Sequence, residues 1–138
     1  MSHLAQSSFQ PLRIAVLTVS DTRTLETDTS GQTLISQLED SGHALAARAI
    51  VIDDIYQIRA QLSQWIADAL VQVVLITGGT GFTVRDNTPQ AVTPLLDKHV
   101  EGFGELFRQV SVLEIGTFSL QSRALAGFAN STLVVCMP

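Results

Sequence analysis

The stretch V-V-L-I-T-G-G-T-G-F-T-V-R-D-N-T-P, Val73 to Pro89, decides the reading of this chain. An apolar, β-branched run ends in Gly78, Gly79 and Gly81. Arg85 and Asp86 follow, and T-P-Q-A then has the form of a helix start, with Thr88 as N-cap and Pro89 at the first helical position. Strand, glycine loop and helix in that order form the phosphate-facing half of a βα unit. Glycine lets backbone N–H groups turn toward an anion and approach it closely. Thr77 and Thr80 add hydroxyls, and the helix N-terminus adds N–H groups and a positive dipole end. The established phosphate motifs do not fit. No Lys follows Gly81, as a Walker loop requires, and Val84 occupies the last position of a G-x-G-x-x-G match. A flexible strand-to-helix turn explains three glycines alone. Asp86 favours the phosphate site with a cation, because a carboxylate beside a phosphate repels it unless Mg²⁺ lies between.

Outward from this loop the elements alternate. Arg13 to Ser20 is a buried strand, and a helix runs over Gly31 to Ser41 with Thr29 or Ser30 as N-cap and Gly42 just past its end. Leu34, Ile35 and Leu38 form its apolar face. His43 to Ile52 is a second strand. A helix from Asp53 carries the stripe Ile55, Ile58, Leu62, Trp65 and Ile66, and Val71 to Thr77 is the third strand. Gly102 to about Leu113 is a further helix. Arg123 to Ala129 and Thr132 to Met137 form a hairpin about Asn130-Ser131. This order predicts a three-layer α/β/α fold with a mostly parallel sheet and a C-terminal hairpin. It also predicts one domain over residues 12–138, preceded by a loose arm over residues 1–11.

The chain has 138 residues, of which 46% are hydrophobic and 15% charged, so it has the means to bury a sizeable aliphatic core. A net charge of −5 without a basic cluster argues against nucleic acid as a partner. No apolar run approaches the ~20 residues of a membrane span. The N-terminus lacks the features of a secretory signal, and the expected location is the cytoplasm. The single cysteine, Cys136, is expected to be a small buried hydrophobe. His3, His43 and His99 are scattered without metal-ligand spacing.

Three polar segments fall at strand carboxyl ends: Ser20-Asp21, Asp53-Asp54, and the glycine loop with Asp86. Ligands bind at that rim in open α/β sheets. One of Asp53 and Asp54 caps the following helix, which leaves the other to face the crevice. Ser122 and Arg123 are candidates to touch an anionic ligand, and the alternative for Arg123 is an internal or intersubunit ion pair.

The set T-V-S-D, D-T-S-G, T-G-G-T-G-x-x-x-R-D-x-T-P, E-G-F-G-E and L-Q-S-R-A resembles the molybdenum cofactor biosynthesis family. That family includes the MoaB and MogA proteins and the G domain of gephyrin-like proteins, and the MoaB branch is the most similar. The resemblance spans nearly all of residues 11–138. It implies a trimer or hexamer that binds molybdopterin. It further implies that AMP passes from ATP to the molybdopterin phosphate with Mg²⁺, before a MoeA-type partner inserts molybdate. By this resemblance Asp53 and Asp86 are the catalytic and metal-holding acids. Thr77, Gly78, Gly79, Thr80 and Gly81 are the nucleotide-phosphate loop, with Ser20 and Asp21 beside it. Asn87 stands where the motif usually carries an aliphatic residue. The family's usual continuation beyond C-M-P, with a further helix, is expected to be missing. The alternative is a non-catalytic molybdopterin-binding or partner-binding protein of the same pathway.

Overall fold

A computed structural model describes residues 8–138. The strands are β1 (Arg13–Val19), β2 (Ala44–Val51), β3 (Val73–Thr77), β4 (Lys98–His99), β5 (Leu125–Ala129) and β6 (Thr132–Met137). The helices are α1 (Thr29–Asp40), α2 (Ile55–Ala67), α3 (Thr88–Val92) and α4 (Gly102–Ile115), with 3₁₀ turns at Thr93–Leu95 and Gly116–Gln121. The first seven residues of the expected arm, and His3 with them, lie outside the described residues. Phe9, within the arm's remainder, stacks its ring 5.2 Å from that of His43.

The six strands form one sheet in the order β2-β1-β3-β6-β5-β4. The first four run parallel, and β5 and β4 complete the sheet in antiparallel pairs. Strand alternation divides the core between two faces. Ala15, Leu17, Val74, Ile76, Val134 and Cys136 point toward α2 and α3, where they meet Ile58, Leu62, Trp65, Ala91 and Val92. Ile14, Val16 and Val73 point the other way, toward Ile35 and Leu38 of α1. The three-layer, mostly parallel fold expected from the sequence is therefore the fold observed. The hairpin turn is also where the sequence put it. Asn130 and Ser131 both take positive φ, 48° and 66°, as a two-residue turn between twisted strands requires.

Two helix starts differ from expectation. α1 begins two residues early because Asp28, not Thr29 or Ser30, caps it through Gly31 N. α3 is preceded by Asn87, and Thr88 is already helical. Its hydroxyl does not cap the helix but donates to Gly78 O at 2.8 Å. Two elements had no counterpart in the sequence reading, the two-residue β4 and the 3₁₀ turn Gly116–Gln121. β1 feeds α1 on one face and β2 feeds α2 on the other. The loops after β1 and β3 therefore flank the crevice at the carboxyl end of the sheet.

Candidate active site at the carboxyl rim

The glycine loop leaves β3 with Gly78 at φ 103° and Gly79 at φ 69°, conformations that a side chain rarely tolerates. A Cβ on Gly79 would run into the Thr88 hydroxyl and stand 2.9 Å from Asp53 Oδ2. Gly78 N donates to Met137 O, and Thr88 N to Gly79 O. These bonds close the loop against β6 and α3. The N–H groups of Gly79 and Thr80 find no acceptor among the described residues. They are donors that this loop has free for an anion.

The three polar segments expected on one rim do meet. Asp53 is only 5% exposed. Its Oδ1 accepts from Asn87 N at 2.9 Å, while Asn87 Nδ2 donates to Asp53 O and Val84 O. Asp21 Oδ1 accepts from Asp53 N at 3.0 Å. Arg85 clasps Asp21 through two bonds, Nη2 to Oδ1 at 2.7 Å and Nε to Oδ2 at 2.9 Å. One aspartate thus ties the end of β1 both to the start of α2 and to the glycine loop. Asp54 caps α2, accepting from Tyr56 N and Gln57 N. Of the two adjacent aspartates, Asp54 is the cap and Asp53 is the buried acid braced by Asn87.

Electrostatics separates the three rim acids. The Arg85 guanidinium holds the Asp21 carboxyl at a pKa of about 2. The Thr83 hydroxyl holds Asp86 below the ordinary range, with help from the N–H groups of Thr83 and Gly81. Burial pushes Asp53 up, and the nearby charges of Asp86 and Asp21 add to the shift. Asp53 is thus a desolvated carboxylate in a negative field, which a cation would relieve. Among the described residues no three His, Cys, Asp or Glu groups converge to cage a metal. Two carboxylates fit a hard divalent ion that takes its remaining ligands from substrate phosphates and water, as Mg²⁺ does.

The other predicted residues take these places. Ser20 Oγ accepts from Thr22 N and Arg23 N, which holds the turn after β1. Thr77 is buried and donates its hydroxyl to Pro138 O at 3.0 Å. Thr80 is buried, and its carbonyl accepts from Arg123 N. Thr88 is fully buried against the loop. Ser122 Oγ is buried without a partner among the described residues, and Ser122 O accepts from Arg108. The Arg123 guanidinium donates to the carbonyls of Gly81 and Asp86, an internal contact that is not the ion pair weighed for it. Sequence reasoning missed Asn87 as the brace of Asp53. The only signal for it was an amide at a position where the motif carries an aliphatic.

Known proteins share this sequence and fold. The family described as "Probable molybdopterin binding domain" matches residues 15–138. Molybdenum cofactor biosynthesis protein B of Escherichia coli K12 is 56% identical over 132 residues, covering 96% of this chain and 78% of that protein. The chain belongs to the MoaB/MogA family of molybdenum cofactor biosynthesis proteins. Its Bacillus subtilis relative of the same description is 45% identical over 128 residues, 92% of this chain and 75% of the relative. A crystal structure of a molybdenum cofactor biosynthesis protein B superposes with a TM-score of 0.91 at 44% identity, covering 96% of this chain and 83% of that one. The tungsten cofactor synthesizing protein MoaB from Pyrococcus furiosus gives 0.83 at 32% identity, with coverages of 95% and 84%. Among the described residues no helix is long and apolar enough to cross a membrane.

Proposed function

We propose that this chain binds molybdopterin and adenylylates it with Mg-ATP, ahead of molybdate insertion by a MoeA-type partner in the cytoplasm. The observation that carries the reading is the rim itself. Asp53, buried and destabilised as an anion, and Asp86 stand beside a glycine loop with unpartnered N–H groups. A pure carrier gains nothing from two acids next to a phosphate site. In the proposed step an oxygen of the molybdopterin phosphate attacks the α-phosphorus of ATP. The bond from that phosphorus to the bridging oxygen breaks, and pyrophosphate leaves. No side chain forms a covalent bond, so the protein contributes by orienting the reactants and stabilising charge. Asp53 and Asp86 would hold Mg²⁺, which supplies charge neutralisation for the phosphates when bound. Gly79 N and Thr80 N would receive phosphate oxygens.

The proposed working form is a homo-oligomer. Its support is α4, which shows Leu106, Val110 and Leu113 on one exposed stripe, with Leu113 87% exposed.

The deciding experiment is pyrophosphate release with Mg-ATP, with and without molybdopterin. Release that depends on molybdopterin, and falls at least about a hundredfold in Asp53→Asn and in Asp86→Asn, supports the transferase. Molybdopterin binding without release, in folded protein, points instead to a non-catalytic carrier. Full turnover in both variants removes the two acids from the mechanism.

A further inference from the structure

The 80–87 segment is bonded within itself about Asp86. Thr83 N and Oγ1 bond Asp86 Oδ2, and Asp86 N bonds Thr83 O. Val84 at the tip is 90% exposed. On the side away from Asp21, Arg123 ties the segment's backbone to the rest of the molecule. Arg123 N donates to Thr80 O at 2.9 Å, its Nε to Gly81 O at 2.9 Å, and its Nη2 to Asp86 O at 2.7 Å. The Phe82 ring lies against the guanidinium, 5.0 Å from centroid to Cζ. Arg123 thus reaches both ends of the Gly81–Asp86 span at once.

Arg123 is itself held from behind. Arg108 of α4 donates to Ser122 O at 3.0 Å. Gly104, in the first turn of α4, lets the helix approach so closely that a Cβ there would stand 2.6 Å from Ala124 O. The otherwise unexplained glycine of E-G-F-G-E and the arginine of L-Q-S-R therefore serve one construction. α4 presses on residues 122–124, which carry a planar fork of donors to the loop bearing Asp86.

We propose that Arg123 is a positioning residue that fixes the Gly81–Asp86 loop, and with it Asp86, through backbone carbonyls. The proposal rests on the reading of Asp86 as a working acid. A guanidinium suits this role because its donors lie in one rigid plane; a lysine offers a single compact ammonium. Loss of the fork leaves Arg85 on Asp21 and Asn87 on Asp53, so the site loosens without unfolding.

The test uses Arg123→Lys and Arg123→Gly in the full chain. Amide hydrogen exchange over residues 81–87 is expected to accelerate by about tenfold or more in both, with the sheet amides unchanged. Turnover is expected to fall roughly tenfold to hundredfold in kcat, while KM for ATP moves less than about threefold. Millimolar guanidinium ion is expected to restore turnover in Arg123→Gly but not in Asp86→Asn. Unchanged exchange at 81–87 in Arg123→Lys overturns the proposal whatever the activity. So does a loss that appears only in KM and is not rescued. If the wild-type protein releases no pyrophosphate, the transferase reading fails, and the exchange measurement still decides whether Arg123 holds the loop.

Discussion

Asp28 is 3% exposed, yet its carboxylate takes three partners from three elements: Gly31 N of α1, the Thr18 hydroxyl of β1 at 2.7 Å, and Arg48 Nη2 of β2 at 3.2 Å. Burial is the largest influence on its charge and opposes it, but these donors together outweigh burial and hold the pKa below the ordinary carboxylate value. Asp28→Asn keeps a good cap residue but leaves the mostly buried Arg48 unneutralised. We expect it to cost about 2 kcal/mol in urea unfolding at pH 7, on the scale of one hydrogen bond to a charged group. A carboxyl whose folded pKa is depressed contributes fully above its unfolded value and fades as pH falls through the folded one. The gap between wild type and Asp28→Asn should therefore be constant above about pH 5 and narrow below about pH 4. A gap that widens in acid would contradict the Arg48 account. The role of Asp28 was not legible beforehand. D-T-S-G offers three capping residues in a row, and the choice among them is made by Thr18 and Arg48, 10 and 20 residues away. Asp53 and Asp54 were more legible, because one helix start uses one cap.

Elements with a long, clean period were readable, and short ones were not. β1 and α2 carry their pattern over 7 and 13 residues, enough for a continuous buried apolar run or a helical stripe to show. β4 has 2 residues and exists because Lys98 and His99 lie opposite Phe128 and Gly127, a register that no local pattern encodes. α4 was readable as a helix, but its apolar residues do not all face the core. Phe103 and Phe107 turn inward, half-buried, with ring centroids 6.0 Å apart. Leu106, Val110 and Leu113, spaced by four and three, stay on the outside. We expect Leu106→Gln/Leu113→Gln to convert the assembled protein to smaller species by sedimentation. Far-UV circular dichroism should be unchanged, since Gln is a good helix former. A wild-type protein already monomeric at micromolar concentration would remove α4 as a subunit contact.

At the scale of the whole molecule, the fold and the site share one sheet, and Cys136 gives access to both. It lies in β6, opposite Ile76 of β3 and Leu125 of β5, fully buried, and burial pushes its thiol up to about 12. The thiolate needed for alkylation is therefore absent at pH 8 unless the sheet opens. Labelling by iodoacetamide should run at least about a thousandfold slower in the native protein than in urea, because opening at the sheet centre approaches global unfolding. The next residue, Met137, accepts from Gly78 N through its carbonyl, so the strand that buries the thiol also anchors the glycine loop. A ligand that binds only the folded rim must then slow labelling further, by about a hundredfold at a concentration of 100 Kd. If the rim takes Mg-ATP through Asp53 and Asp86, that extra protection appears with Mg-ATP and vanishes in Asp53→Asn/Asp86→Asn. Basal protection stays, because neither carboxylate belongs to the core around Cys136. Protection by Mg-ATP that survives the double substitution would place the nucleotide away from the two acids, and rapid labelling without ligand would mean that the β3–β6–β5 packing does not hold in solution.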